Sequence, residues 1–238
     1  MNEWDIVLTN DIKTSHDLFN LSLINYVLNK DTTRAYLQCN VGPMIPIEPK
    51  DYITISQIEA KILEEYAGKK ILDIGCGVGR HIEYSLRELD ISLYVGLDIS
   101  SVAYRWCTKK FDEAIRRGKL KLILGGFLDT IDKVKSYAPF DTVLLLGCNA
   151  GIFGTWDRSL RAYKEIFDLL NTVGTLLIET LGPPTGYDEV RCRITYGGTI
   201  GDEYEFVYIS PAYLIGELES IGYRIIKSVG HRYGARII

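Results

Sequence analysis

The chain has 238 residues, 47% of them hydrophobic and 24% charged, so it can bury a core and is not of disordered composition. Its net charge of -4 disfavours nucleic acid as the main partner, because a phosphate backbone attracts basic surfaces. The five cysteines are widely spaced and indicate neither a disulfide scaffold nor a zinc site. We find no apolar run of about 18 residues and no basic, apolar leader, so we expect a cytoplasmic protein without a membrane span.

The N-terminal part, residues 1–55, favours a helical cap or lid. Residues 17–28 carry apolar side chains at helical spacing, and residues 42–49 hold three of the seven prolines, which predict an extended connector. Ser56 with Glu59 three positions later predicts a capping box that opens the next helix. We therefore expect the cap to end before Ser56.

Short apolar runs alternate with amphipathic stretches over the middle of the chain. The apolar runs predict strands at residues 71–74, 93–97, 120–124, 142–146 and 175–179. The stretches between them predict helices at residues 79–89, 101–117, 130–137 and 156–170. Because near-continuous apolar strands are buried on both faces, this order predicts an α/β fold with a parallel sheet covered by helices.

The pattern changes after residue 180. Two alternating runs predict a β-hairpin inserted at about residues 181–209. Pro211 then begins a helix that Gly222 ends. The predicted elements of this part are strands at residues 190–196 and 204–209, a helix at 211–221, and strands at 223–229 and 233–238. We expect residues 56–238 to form one domain that carries the hairpin as an insertion.

A glycine-rich turn follows the first predicted strand, where residues 71–79 read Ile-Leu-Asp-Ile-Gly-Cys-Gly-Val-Gly. Glycines at a strand end permit a tight turn and let a ligand approach the backbone. Asp98 ends the second predicted strand, where an acidic side chain can accept both hydroxyls of a ribose. The fingerprint of dinucleotide-binding turns requires a small residue three positions after its second glycine, but the third position after Gly77 is Arg80. A nicotinamide or flavin dinucleotide is therefore the second choice of cofactor.

These motifs resemble the class I (Rossmann-like) S-adenosylmethionine-dependent methyltransferases over about residues 56–238. The resemblance is carried by residues 71–81, Asp98, and residues 140–145, 174–179 and 210–223. It implies a Rossmann-like, mostly parallel sheet of seven strands in the order 3-2-1-4-5-7-6, with the last strand antiparallel and helices on both faces. It also implies S-adenosyl-L-methionine as methyl donor, S-adenosyl-L-homocysteine as product, and no metal.

The resemblance implies a cofactor site in this chain, with Asp98 on the ribose, Ile99 on the adenine and Phe127 beside the adenine ring. Many relatives carry an acidic residue after the third strand, whereas residues 125–128 here are Gly-Gly-Phe-Leu, and Asp129 is no more than a possible substitute. The expected cofactor-binding residues are Asp73, Gly75, Cys76, Gly77, Gly79, Asp98, Ile99, Phe127, Gly147, Cys148 and Asn149.

The sequence does not assign a catalytic base. Methyl transfer from a sulfonium depends mostly on alignment of donor and acceptor, and a base is needed only if the acceptor must lose a proton. The candidates are His231, Glu179, Tyr196 and Tyr208, each of which also has a structural explanation.

We predict a methyltransferase that acts on an O or N atom of a small-molecule acceptor, with residues 1–55 and 181–209 selecting the acceptor. The alternatives are an RNA or protein methyltransferase, a non-catalytic S-adenosylmethionine-binding regulatory protein, and a dehydrogenase. Basic residues at 109–110 and 116–117 favour the RNA or protein alternative but also suit a solvated helix face. The oligomeric state stays open between monomer and homodimer.

Overall fold

A computed structural model describes residues 12, 14–29, 33–229 and 232–237, with the backbone alone at 229 and at 232–237. The first elements are α1 (Ser15–Val27), β1 (Tyr36–Cys39), β2 (Ile45–Pro46), α2 (Lys50–Ile53) and α3 (Gln57–Tyr66). The predicted capping box opens α3: the Glu59 amide donates to the Ser56 hydroxyl at 3.2 Å, and the Ser56 amide donates to the Glu59 carboxylate at 2.8 Å.

Strands and helices then alternate through the middle of the chain. The elements are β3 (Lys70–Ile74), α4 (Arg80–Glu88), β4 (Leu93–Asp98), α5 (Ser101–Lys110), α6 (Asp112–Arg116), β5 (Leu120–Leu124), α7 (Ile131–Lys135), β6 (Phe140–Leu145), α8 (Trp156–Leu169) and β7 (Leu170–Glu179). All five predicted strands are present. The helix predicted at residues 101–117 is divided at Phe111, whose side chain turns inward and is 9% exposed.

The remaining elements complete the sheet domain and its insertion. They are β8 (Tyr187–Tyr196), β9 (Thr199–Ile200), β10 (Tyr204–Ile209), α9 (Pro211–Ile221), β11 (Tyr223–Val229) and β12 (Arg232–Ile237). Pro211 is the first residue of α9, and Gly222 ends it with a φ of 122°, as the sequence predicts. In the described part of the chain, no helix is long and apolar enough to cross a membrane.

Seven strands form the central sheet in the order β11-β12-β7-β6-β3-β4-β5. The five strands from β7 to β5 are parallel, which confirms the Rossmann-like α/β class. Strand β12 runs antiparallel to both of its neighbours. When these seven strands are numbered along the chain, their order is 3-2-1-4-5-7-6.

The middle of the central sheet is buried on both faces, as its apolar runs predict. On β6, Val143 and Leu145 belong to one apolar cluster, whereas Leu144 between them belongs to the cluster on the opposite face. All three side chains are fully buried. A strand covered on both sides in this way presents only its carboxyl end to a ligand.

A second, antiparallel sheet corrects the interpretation of residues 1–55 as a helical cap. Its strands lie in the order β10-β8-β1-β2, and β9 also pairs with β8. The N-terminal segment therefore contributes strands β1 and β2 beside helices α1 and α2. Strand β1 has only four residues, and its partner β8 lies about 150 residues away along the chain, so no local pattern could identify it.

A disulfide between Cys39 and Cys192 corrects the expectation that no disulfide is present. The two residues are directly opposite each other in the β1–β8 pair, with their Cα atoms 4.0 Å apart. Cys76, Cys107 and Cys148 are free thiols. The odd number of cysteines reflects one pair and three thiols, which the spacing along the sequence cannot reveal.

The disulfide predicts a thiol count that depends on reduction. We expect the folded, oxidised protein to yield three thiols in denaturant and five after reduction. Because the bond closes a loop across a sequence separation of 153 residues, Cys39→Ala/Cys192→Ala should lower the free energy of unfolding by about 3 kcal/mol. Reduced wild-type protein is the matched control and should unfold at the denaturant concentration of the double variant. Five thiols in oxidised protein would contradict the pairing.

Candidate functional site: a cavity at the carboxyl edge of the sheet

The glycine turn after β3 has the backbone geometry that its composition predicts. Gly75, Gly77 and Gly79 have φ values of 81°, 52° and 84°, which side chains with a Cβ rarely adopt. The amides of Gly75 and Cys76 both donate to the carbonyl of Leu97, at 2.8 and 3.0 Å. These bonds join the turn to the end of the neighbouring strand β4.

Asp98 holds the turn from the other side. Its Oδ2 accepts a hydrogen bond from the Gly77 amide at 2.7 Å, and its Oδ1 accepts one from the Ser100 amide at 2.8 Å. Burial raises the pKa of Asp98 to about 6, although the two amide bonds act to lower it. Each carboxylate oxygen keeps a further lone pair with which it can accept a ligand hydroxyl.

A cavity of about 490 Å³ opens at this edge of the sheet, a volume suited to a small ligand. Nine of the expected cofactor residues line it: Gly75, Cys76, Gly77, Asp98, Ile99, Phe127, Gly147, Cys148 and Asn149. Asp129, the possible substitute after β5, also lines the cavity. The other two expected residues, Asp73 and Gly79, do not line it.

Asp73 and Gly79 lie behind the cavity lining and support it. Asp73 is 1% exposed, and its Oδ2 accepts a hydrogen bond from the Tyr94 hydroxyl at 2.8 Å. A Cβ on Gly79 would lie 2.6 Å from the ring of Phe111, so only glycine lets α4 approach α5 this closely. Asp73 is therefore joined to strand β4, and Gly79 permits the close packing of α4 against α5.

The segment after β6 closes the cavity on the next side. Its residue Asn149 donates from Nδ2 to the carbonyl oxygens of Ile74 and Gly75, at 3.2 and 3.1 Å. Glu179 accepts hydrogen bonds from the amides of Gly147 and Cys148, at 2.7 and 3.2 Å. Glu179, one of the four candidate bases, thus has its Oε2 directed at the backbone of this segment.

A buried cluster of charged groups lies next to the glycine turn, and the sequence did not reveal it. His81 is 4% exposed, with Nε2 3.3 Å from Glu59 and Nδ1 3.7 Å from Asp73. Arg80 lies 2.8 Å from the same Glu59 oxygen and also donates to the backbone carbonyl of Asp51. The capping box at Glu59 indicated a helix start, but it did not indicate that the same carboxylate also contacts His81 and Arg80.

The charges in this cluster stabilise one another. Burial acts to raise the pKa of Glu59, but the hydrogen bond to His81, the charge of Arg80 and the Ser56 amide lower it to about 2. Burial likewise acts to lower the pKa of His81, but the carboxylates of Asp73 and Glu59 outweigh it and raise the pKa. The carboxylate of Glu59 is therefore ionised at neutral pH and is held by two cationic partners.

Of the other candidate bases, one lies in the cavity lining, one lies outside it and one is not described. Tyr208 lines the cavity, and its hydroxyl lies 3.6 Å from the Cys39 sulfur. Tyr196 is 5% exposed among the apolar side chains between α1 and the second sheet, and its hydroxyl accepts a hydrogen bond from Asn25 at 3.0 Å. His231 lies outside the described residues.

Helix α1 and the second sheet complete the walls of the cavity with residues that are not among the expected cofactor-binding residues, although the segments 1–55 and 181–209 were expected to select the acceptor. Asp17 accepts hydrogen bonds from the Ser100 hydroxyl and the Val102 amide, at 2.7 and 3.0 Å, and so fastens α1 to the loop after Asp98. The additional lining residues include His16, Phe19, Asn20, Leu37, Ile47, Tyr52, Arg80, Ile194, Tyr204 and Phe206. Such contacts join distant parts of the chain and have no local motif.

Comparison with known proteins identifies the kind of domain. Residues 71–174 match the model of a family described as a methyltransferase domain. Over 114 residues the chain is 27% identical to the rRNA N(6)-adenosine-methyltransferase metl-5 of Caenorhabditis elegans, covering 42% of this chain and 52% of that protein. The chain spans about half, or less, of the length of the curated relatives it matches.

Solved structures with the same fold cover nearly the whole chain. A methyltransferase from Bacteroides fragilis in complex with S-adenosyl-L-homocysteine has a TM-score of 0.72 at 19% identity, covering 95% of this chain and 96% of that one. The 1,6-didemethyltoxoflavin-N1-methyltransferase of Burkholderia thailandensis has a TM-score of 0.56 at 16% identity, with coverages of 99% and 89%.

Residues 71–174 are therefore a methyltransferase domain, and the chain has the fold of solved S-adenosylmethionine-dependent methyltransferases. The residues present fit that cofactor, because the glycine turn leaves its backbone open to a ligand and Asp98 offers a carboxylate for ribose hydroxyls. When bound, the cofactor supplies a methyl group on a positively charged sulfur. In the described part of the chain, no cluster of His, Cys, Asp or Glu could hold a metal ion.

Asp98 predicts a pH-dependent affinity for S-adenosyl-L-homocysteine. Ribose hydroxyls bind the ionised carboxylate, so affinity should fall as the pH drops through about 6, the pKa of Asp98. Asp98→Ala should weaken binding about 30-fold at neutral pH, the loss expected for hydrogen bonds to a charged group. Calorimetric titration measures both effects, and Asp90→Ala, at a surface carboxylate paired with Lys69, is the control. Equal affinity of the Asp98 variant would contradict the role.

His81 predicts a pH-dependent stability. Because its pKa is raised in the folded state, its contribution is complete below the ordinary value of 6.5 and is lost as the pH rises through the folded value. Removing the imidazole takes a cationic partner from two buried carboxylates, so His81→Gln should lower the free energy of unfolding by about 3 kcal/mol below pH 6.5. Urea denaturation across this pH range should show the difference from wild type shrinking at higher pH. A constant difference would exclude a charged His81.

Proposed function

We propose that the protein transfers the methyl group of S-adenosylmethionine to an O or N atom of a small-molecule acceptor. The observation that carries the proposal is the aromatic wall, by which we mean Tyr52, Tyr204, Phe206 and Tyr208, at the side of the cavity formed by α2 and the second sheet. Burial and the neighbouring Cys148 raise the pKa of Tyr52 and Tyr208. Both hydroxyls are therefore protonated at neutral pH and serve as hydrogen-bond donors to an acceptor.

The size and position of the aromatic wall support a small acceptor. About 490 Å³ must hold the cofactor and the acceptor group, and the second sheet and α1 cover the strand ends. The 1,6-didemethyltoxoflavin-N1-methyltransferase, which shares the fold, was solved with bound 1,6-didemethyltoxoflavin and S-adenosylhomocysteine. A long RNA or a folded protein would need a more open and, for RNA, a more basic approach.

Two alternatives remain as test outcomes. The likeness to an rRNA methyltransferase favours RNA as acceptor, although the net charge of -4 opposes it. A non-catalytic protein that binds the cofactor to regulate a partner would bind S-adenosylhomocysteine without turnover. A monomer is the simplest assembly, because one chain supplies every wall described for the cavity, and a homodimer is the alternative.

We also propose the cytoplasm as the compartment, which the three free thiols support. There the glutathione pool would hold Cys39 and Cys192 reduced. The two strands would then stay together by their backbone hydrogen bonds, the hydrogen bond from the Arg191 amide to the Asn40 side chain and apolar packing.

The proposal predicts which acceptors are used. With S-adenosylmethionine labelled in its methyl group, we expect label to enter compounds of an ultrafiltered metabolite extract and not RNA or protein from the same cells. Asp98→Ala, which should bind the cofactor about 30-fold more weakly, is the control with reduced labelling. Labelling of RNA alone would support the RNA alternative, and binding of S-adenosylhomocysteine without labelling of any fraction would support the regulatory one.

A pair of tyrosine variants tests the aromatic wall once an acceptor is found. Tyr208→Phe removes a hydroxyl from the cavity and should raise the KM for the acceptor about tenfold, the cost of one hydrogen bond in a dry site. Tyr196→Phe removes a hydroxyl bonded to Asn25 away from the cavity lining and should leave the KM unchanged. Equal effects of the two variants would contradict the wall as the acceptor site.

A further inference from the structure

Helix α1 holds a buried polar atom for which the protein supplies no partner. The Oδ1 of Asn20 is buried, the residue is 3% exposed, and this oxygen has no hydrogen-bond partner among the described residues. An amide oxygen left unsatisfied in the interior costs about 1–3 kcal/mol, so such atoms call for an explanation. The same side chain lines the nucleotide cavity.

The orientation of the Asn20 amide is fixed by its other end. The Nδ2 group donates to the carbonyl of His16, one turn earlier in α1, at 2.9 Å. Exchanging the oxygen and the nitrogen would place two acceptors against each other, so the oxygen faces away from the helix. A Cβ on Gly77 would lie 3.5 Å from it, which puts the oxygen directly over the glycine turn.

The position of α1 over the turn is held by hydrogen bonds at two further residues. Asp17 caps the start of α5 just after Asp98. Ser15 donates its amide to the Asp202 carboxylate at 2.7 Å, and its hydroxyl accepts from the Ile194 amide at 2.9 Å. Asn20 is therefore carried on a rigidly fastened helix and is not a surface side chain that happens to reach the cavity.

We propose that Asn20 is a cofactor-binding residue whose Oδ1 accepts a hydrogen bond from S-adenosylmethionine. The cofactor has two kinds of donor that can meet an acceptor above Gly77: the ammonium of its methionine part and the hydroxyls of its ribose. Asp98 accepts from the Gly77 amide on one side of the turn, and Asn20 faces the same glycine from above. The inference rests on the cofactor of the class and not on the proposed acceptor.

Calorimetric binding to two ligands tests the proposal. Asn20→Leu keeps the shape of the side chain and removes the acceptor oxygen, so S-adenosylhomocysteine should bind about tenfold more weakly. 5′-Methylthioadenosine has the ribose but no amino acid. If it binds to the variant as it does to wild type, the donor is the ammonium, whereas an equal loss for both ligands identifies a ribose hydroxyl.

Further variants separate this contact from an effect on folding. Without ligand, Asn20→Leu should melt at the wild-type temperature or higher, because it removes an unsatisfied buried group. Asn20→Asp keeps an acceptor oxygen and should retain S-adenosylhomocysteine affinity within about threefold. Asn25→Leu makes the same change five residues further along α1, where the amide bonds to Tyr196, and should leave affinity unchanged.

Two results would overturn the proposal. One is wild-type affinity of Asn20→Leu for S-adenosylhomocysteine, which would mean that a water molecule or no partner satisfies the oxygen. The other is an equal loss of affinity in Asn25→Leu, which would assign the effect to the helix as a whole. Failure of the acceptor assays alone would leave all these binding results, and the proposal, intact.

Discussion

The hydrogen bonds that tie the glycine turn to the end of β4 are the interaction on which the site depends. Leu97 accepts from two amides of the turn and Asp98 from a third, so the turn cannot move without breaking bonds to the neighbouring strand. Every other wall of the cavity is positioned against this pair: Asn149 bonds to the turn from β6, and Asp17 bonds to the loop after Asp98. The part of the cavity expected to bind the cofactor is thus positioned by the ends of the parallel strands.

Much of this part of the cavity could be predicted from the sequence, because each of its features depends on residues close together in the chain. The tight turn follows from the glycines at positions 75 and 77, and the bond that holds it follows from the carboxylate of Asp98 at a strand end. The start of α3 follows in the same way from the capping box of Ser56 and Glu59. The strands could be predicted for a similar reason, because strands buried on both faces have near-continuous apolar sequences. Nine of the eleven expected cofactor residues accordingly line the cavity, and the other two lie immediately behind it.

The remaining features could not be predicted, because they depend on contacts between distant residues. Strand β1 is recognisable only beside β8, and the Cys39–Cys192 pair follows from that pairing. The His81–Glu59 contact and the place of Asn20 above Gly77 need the packing of whole helices. The candidate bases differ in the same way, since nothing local distinguishes Tyr208, in the cavity, from Tyr196, outside its lining.

The pairing of β1 with β8 has a consequence for how the protein is made and how it can change. Strand β8 must leave the ribosome before β1 finds its partner, and the five parallel strands β3 to β7 all precede β8 along the chain, so the parallel strands can assemble before the second sheet closes. The part of the protein that meets the acceptor is then built from two segments at the margins of an already folded core. Substitutions in those segments can alter substrate choice during evolution while donor binding is left intact.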